Sequence, residues 1–192
     1  MPRISRLNRS EVSPELRGIY DRFLQDRGNV PYFFRTVAHR PEIMQTMAAH
    51  MNAVLNTGTL PTRLKELVVV RTSQLNGTTY CLASHTAICL KLAWTPEHLA
   101  ALHDWQTSTL FSEAEKEAIH LAESMTLHSH EFSDADMASL RRFYSEGEVV
   151  ELLCAIGLFN YFNRFNNLLQ MEPTQPATAE ELAEAGVHPV TA

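Results

Sequence analysis

The stretch Glu66-Leu-Val-Val-Val-Arg71-Thr-Ser-Gln-Leu75-Asn76-Gly77-Thr78-Thr-Tyr80-Cys81-Leu-Ala-Ser-His85 decides how the chain is read. Val68, Val69 and Val70 are β-branched, and by local preference alone they suit a strand. They lie, however, inside a longer helical period of Leu64, Leu67, Val68 and Leu75, flanked by Lys65, Glu66 and Arg71. Tertiary packing overrides a propensity deficit of a few tenths of a kcal/mol per residue, so the run is read as helix. Asn76-Gly77 ends that helix, because glycine takes the left-handed backbone that closes a helical C-terminus. Thr78 is then a natural N-cap for a second helix, which carries Cys81 in its first turn and His85 one turn on.

Working outward, the same logic finds helices almost throughout. Ser13-Pro14 precedes Leu16, Ile19, Tyr20 and Phe23 at helical spacing, and Pro31 to Val37 is a short aromatic segment. From Pro41 a stripe of Ile43, Met44, Met47, Met51 and Leu55 runs to a stop near Gly58. Thr95-Pro96-Glu97 opens a helix, Ser112 to Glu115 is a capping box, Ser133 to Asp136 starts another helix, and Glu146 to Leu169 is long and apolar. The expected fold class is all-α: a single-domain helical bundle of about eight helices. Residues 1–12 form an N-terminal arm, 13–172 the helical domain and 173–192 a C-terminal tail. In the tail the composition turns to Thr, Pro, Ala and Glu, with Ala179 to Ala185 a short helix; it is either mobile or laid on a neighbouring subunit.

Bulk properties exclude several classes of function. The chain has 192 residues, 45% hydrophobic and 20% charged, which suits one soluble globular domain. A formal charge of −6 argues against a general nucleic-acid surface. No apolar run approaches the roughly 18 residues of a membrane span, and the basic N-terminus has no apolar region behind it to make a secretory signal. Cys81, Cys89 and Cys154 are too few and too scattered for a disulfide framework, so reduced thiols and a cytoplasmic location are expected. Cys89 and Cys154 sit among apolar residues and read as small core fillers.

Cys81 reads differently. A sulfur in the first turn meets the positive end of a helix dipole, which favours thiolate. His85, four residues on, can bond to the sulfur or take its proton. If the two helices pack antiparallel about Asn76-Gly77, Glu66 approaches His85, and carboxylate, imidazole and thiol become a proton relay. Spacing alone leaves a second reading open: Cys81 a core filler, His85 a satisfied core histidine, and Glu66 a surface charge paired with Arg63. Cys81 and His85 are only two metal ligands, with no second pair at zinc spacing, so no metal site is expected. With 7 glycines and no phosphate-binding loop, no nucleotide or other cofactor is expected.

The stretch from Glu66 to His85 resembles the signature of the alkylhydroperoxidase D and carboxymuconolactone decarboxylase superfamily. There a Glu is followed by a helix, an Asn, a Cys-x-x-Cys pair opening the next helix, and a His four residues after the second Cys. Met1-Pro-Arg-Ile4 and Asn160-Tyr-Phe-Asn163-Arg164-Phe-Asn166 also resemble the single-domain, peroxidase-related branch, and the likeness extends from about Ser13 to Met171. The resemblance implies an alkylhydroperoxidase D-like helical fold with Cys81 as peroxidatic cysteine, His85 as relay histidine and Glu66 as the acid of the relay. Tyr80 falls where some members have a second His. The resolving cysteine should stand at position 78, and this chain has Thr78. The implied activity is therefore a peroxidase-like thiol oxidoreductase with one cysteine, acting on a peroxide or another small molecule and recycled by an external thiol reductant. Helical dimers, trimers or hexamers with sites near subunit contacts are implied as well, and the apolar last helix fits them.

Two alternatives stand beside that expectation. A lactone-acid lyase of the carboxymuconolactone decarboxylase type would use Glu66 and His85 for proton transfer and Arg71 or Arg164 for a substrate carboxylate. A non-catalytic helical oligomer would keep the site as a remnant. Elsewhere, His128-Ser-His130-Glu131 reads as solvated loop, His50 and His120 as residues of amphipathic helices, and the Met44, Met47, Met51 stripe as core or subunit interface. Asn160, Asn163 and Asn166 recur every three residues on an apolar helix, so as buried amides they need partners, at helix ends or on an opposing subunit.

Overall fold

The structure, a computed structural model, describes residues 2–176 and Thr178; the short helix expected at 179–185 lies outside the described residues. Among these residues there are nine α-helices, two short 3-10 turns and no strand. The helices are α1 (Pro14–Arg27), α2 (Tyr32–Val37), α3 (Pro41–Asn56), α4 (Thr62–Leu75), α5 (Thr79–Lys91), α6 (Pro96–Ala101), α7 (Glu113–Leu127), α8 (Asp134–Leu140) and α9 (Glu146–Leu168). The aromatic segment at 32–37 forms α2, because Phe33, Phe34 and Val37 bury one face. The chain groups into two compact units, 52–167 and 1–51 with 168–192.

The unit 52–167 carries the site. Its central element is α4, which is buried from Leu64 through Ser73 and packs against both α5 and α7. Val68, Val69 and Val70 are at most 1% exposed, and contacts on every side explain why a β-branched run stays helical. Gly77 takes φ 61°, and Asn76 adds a side-chain bond from Nδ2 to Thr72 O at 3.0 Å. Thr78 N donates to Ser73 O at 3.0 Å, so α5 starts beside the last turn of α4. The expected capping boxes form at Ser112 with Glu115 and at Ser133 with Asp136. Ser145 and Glu148 bond reciprocally at the start of α9 as well.

One buried charge organises the loop before α4. Lys65 is 1% exposed, donates from Nζ to Val54 O at 3.0 Å and pairs with Glu151 of α9 at 2.8 Å. Glu151 in turn accepts from Thr59 N at 2.7 Å and Leu60 N at 3.3 Å. The ammonium thus has a carbonyl and a carboxylate as partners, which a buried charge requires.

In the other unit, the rings of Phe23 and Phe34 meet at 4.7 Å with a 38° tilt, and Tyr20 donates to Leu7 O at 2.9 Å, tying residues of the arm to α1. The segment after α9 runs along the arm: Leu168 O accepts from Arg3 Nη1 at 2.5 Å, and Thr174 Oγ1 accepts from Tyr32 N at 3.0 Å. Thr174, in the described part of the tail, is therefore bonded to α2. Met44 and Met51 are core residues. No helix among the described residues is long and apolar enough to cross a membrane.

Candidate active site

Three helices supply the site. Glu66 comes from the middle of α4, Cys81 and His85 from successive turns of α5, and Asn160, Asn163 and Asn166 from the inward face of α9. Glu66 is 3%, Cys81 3% and His85 7% exposed, so no charge here is diluted by bulk water.

His85 Nδ1 lies 2.6 Å from Glu66 Oε2. A carboxylate only accepts, so Nδ1 carries the proton and donates it, which leaves the Nε2 lone pair as the basic position of the ring. Phe159 packs edge-on to the imidazole at 4.7 Å and holds its plane. Helical geometry puts Cβ of His85 about 5–6 Å from Cβ of Cys81. Arg63, the alternative partner for Glu66, instead pairs with Glu115 at 2.9 Å and lies over the Trp94 ring. The structure thus joins Glu66 to His85, while the partner of the sulfur is another residue.

Cys81 Sγ accepts from Asn166 Nδ2 at 3.5 Å. The expected thiolate is corrected by this environment. Burial raises the Cys81 pKa from 9.0 to about 12, and the Asn166 hydrogen bond lowers it only in part. Desolvation outweighs the pull of the helix N-terminus, so the resting group is a thiol. Cys89 is likewise a buried thiol pushed up to about 12, first by burial and then by the charge of Glu66. All three cysteines are free.

Thr78 occupies the N-cap position of α5 with extended backbone, yet its side chain makes no capping bond. It is 0% exposed, and its Oγ1 has no hydrogen-bond partner among the described residues. Tyr80, in the first turn beside Cys81, is buried. Cys154 is half-buried rather than a core filler. It precedes Asn166 by twelve residues on α9, about 18 Å along the axis, far outside disulfide reach of the sulfur that Asn166 touches.

Two of the three amides of α9 serve the end of α4 and the turn into α5. Asn160 accepts from Asn76 at 2.9 Å and donates to Thr126 at 3.1 Å, and Asn163 Oδ1 accepts from Ser73 Oγ at 3.3 Å. Asn166 is the contact of the sulfur that sequence reading left unassigned. It lies 85 positions from Cys81, and the three-residue amide spacing on an apolar helix was its only signal. Other residues lie elsewhere: Arg71 binds Glu123 from Nε at 2.9 Å, Arg164 is exposed, and His120 faces Asp136 at 3.4 Å. His130 is 81% exposed, and no group of three or more His, Cys, Asp or Glu side chains suited to a metal occurs among the described residues.

Residues 41–124 match the carboxymuconolactone decarboxylase family. YdfG of Bacillus subtilis (strain 168) is 31% identical over 127 residues, which cover 66% of this chain and 86% of that protein. The chain belongs to the carboxymuconolactone decarboxylase family. Its fold is that of the alkylhydroperoxidase D-like members. A peroxidase-related protein with an alkylhydroperoxidase AhpD core, from Ralstonia eutropha JMP134, superposes with a TM-score of 0.80 at 23% identity, covering 97% of each chain. The debrominase Bmp8, as a Cys-to-Ala variant with 2,3,4-tribromopyrrole, superposes with a TM-score of 0.75 at 23% identity, covering 95% of this chain and 97% of that one. Within the family match fall Glu66, Cys81 and His85.

Proposed function

We propose that the protein is a thiol-dependent, peroxidase-like oxidoreductase in which Cys81 is the single peroxidatic cysteine. The observation that carries this reading is the 2.6 Å Glu66–His85 bond one helical turn from a sulfur with no second cysteine in reach. His85 takes the Cys81 proton on Nε2 as a hydroperoxide arrives, since the resting thiol is not ionised. The sulfur attacks the nearer peroxide oxygen: the O–O bond breaks, an S–O bond forms, and His85 returns the proton to the departing oxygen. Sulfur loses two electrons to the peroxide, giving a sulfenic acid and an alcohol or water. One external thiol condenses with the sulfenic acid, releasing water; a second frees Cys81 and leaves as the disulfide. Thr78 makes the external thiol necessary, and a cytoplasmic pool of reduced thiol suits such a cycle.

A second reading rests on the likeness to Bmp8. The same sulfur would remove bromine from an electron-rich ring: C–Br breaks, S–Br forms, and the ring carbon takes a proton. Two external thiols would then release bromide and a disulfide. A lactone-acid lyase finds less support, because Arg71 is committed to Glu123 and Arg164 is exposed. A remnant site would turn over none of these substrates.

The deciding experiment measures thiol oxidation by the full chain with an alkyl hydroperoxide, and separately with a polybrominated pyrrole. Peroxide-driven turnover that Cys81→Ser abolishes and Cys154→Ser leaves intact supports the first reading. Turnover only with the bromopyrrole favours the second, and turnover of a lactone acid by Cys81→Ala the third.

The homo-oligomer belongs to the same proposal. Val150 (57% exposed), Cys154 and Tyr161 (44% exposed) share the face of α9 opposite its core residues Leu152, Phe159 and Asn163. Their spacing of four and then seven residues is that of a helix seam, which a second copy of the same helix complements.

A further inference from the structure

Three fully buried polar atoms where α5 meets α9 make no hydrogen bond among the described residues: Thr78 Oγ1, Asn163 Nδ2 and Asn166 Oδ1. Their residues are 0%, 0% and 1% exposed, and a buried polar group left without a partner is destabilising. Hydrogen bonds tie their residues to Ser73 and Cys81. Asn166 donates to the sulfur through its Nδ2, and the orphaned Oδ1 belongs to the same amide. Thr78 N and Asn163 Oδ1 both bond to Ser73, at 3.0 and 3.3 Å. Thr78 is also three residues before Cys81, at the N-cap, a position whose side chain ordinarily reaches the third residue of the helix. The cluster offers one donor, one acceptor and one hydroxyl that can serve as either.

We propose that Thr78, Asn163 and Asn166 form the receptor for the oxygen that Cys81 takes up, the hydroxyl of its sulfenic acid. This rests on the peroxidase-like reading and deepens it. The oxygen of Cys–S–O–H accepts from Asn163 Nδ2, its O–H donates to Asn166 Oδ1, and Thr78 Oγ1 donates the remaining bond. One atom bound to sulfur satisfies three groups that the reduced protein leaves without partners. Thr78 then has a role in place of the disulfide it precludes: it holds the oxidised sulfur until a thiol arrives. With its O–H bonded to Asn166, the sulfenic acid is a poor nucleophile toward a second peroxide, so over-oxidation to sulfinic acid is slowed.

The test treats the full-length reduced protein with one equivalent of hydrogen peroxide, removes the excess and follows sulfenic acid by dimedone trapping, with sulfinic acid read by mass. Thr78→Val keeps the shape and removes the hydroxyl, Asn163→Leu removes the donor, and Thr78→Ser restores the hydroxyl. The expected result is a sulfenic acid lifetime shortened about tenfold in Thr78→Val, the worth of one buried hydrogen bond, and recovered in Thr78→Ser. Reduced Thr78→Val should unfold at the same temperature as wild type or higher, since the substitution deletes an unmatched group. A merely structural role for Thr78 would lower that temperature and leave the lifetime alone. Wild type that forms sulfenic acid, with the lifetime unchanged in Thr78→Val, would overturn the receptor while the peroxidase-like reading stands. Wild type that forms no sulfenic acid would overturn both.

Discussion

At Cys81 two effects of similar origin oppose each other. The α5 N-terminus stabilises negative charge on the sulfur, and removal from water penalises it; for a sulfur 3% exposed the second is larger. A thiol pushed up to about 12 has a thiolate fraction on the order of 10⁻⁴ at pH 8. Iodoacetamide should therefore modify Cys81 in the folded protein about a thousandfold more slowly than in the unfolded chain at that pH, and the rate should rise with pH well beyond 9. Equal rates would sink the buried-thiol description. The same shift has a consequence for stability. The folded state keeps its proton up to about 12, whereas the unfolded thiol loses it near 9.0, so between those values the folded state binds more protons. Stability is then intact below pH 9 and falls as pH rises toward 12. Cys89 adds in the same direction, and Cys89→Ala should flatten the alkaline limb of a denaturation curve measured from pH 8 to 11. Glu66, Cys81 and His85 were legible because their signature is local. The ionisation state was not, since it depends on what three helices exclude from the sulfur. The missing capping bond of Thr78 was hidden for the same reason.

At the scale of elements, α4 and α5 form one chemical unit because Asn76-Gly77 turns the chain tightly enough to set Glu66 against His85. Reading Val68 to Val70 as helix was possible from their flanks, but only the burial of α4 on every side gives the cause. Glu66→Gln keeps an acceptor for His85 Nδ1 while removing the charge, so the fold should persist and, on the proposed peroxidase-like reading, kcat with peroxide should fall by about 100-fold. An unchanged kcat would remove Glu66 from the relay. Lys65 presents the opposite case, a buried charge away from the chemistry. Lys65→Met leaves Glu151 without its cation, and although Thr59 and Leu60 still donate to it, unfolding free energy should drop by about 3–5 kcal/mol in a urea titration. The ladder of Asn160, Asn163 and Asn166 links both halves of this picture, since the face of α9 that steadies the α4–α5 turn also supplies the partner of the sulfur. Its three-residue spacing was visible in the sequence, while its targets, 84 to 90 positions away, were not.

For the whole molecule, the outward face of α9 sets the expectation. Core residues of this helix follow the inward direction, so Val150 and Tyr161 owe their exposure to position on the wheel and are not stray apolar residues of a loop. Burial of such side chains is worth about 1.5–3 kcal/mol each, and a two-fold contact counts each twice. Val150→Glu placed on such a seam would bring two carboxylates together at a symmetric contact, which an apolar interface does not accommodate. Sedimentation should give a multiple of 21.7 kDa for the wild-type chain and a smaller species for Val150→Glu and Tyr161→Glu, with helical content retained. A wild-type chain that sediments as a monomer at all concentrations would rule out the seam. A wild-type oligomer that both substitutions leave intact would place the contact on another face. Because α9 also carries Asn166, the monomeric variants offer a further reading: a slower reaction of Cys81 with peroxide at equal helicity would tie assembly to the sulfur through this one helix.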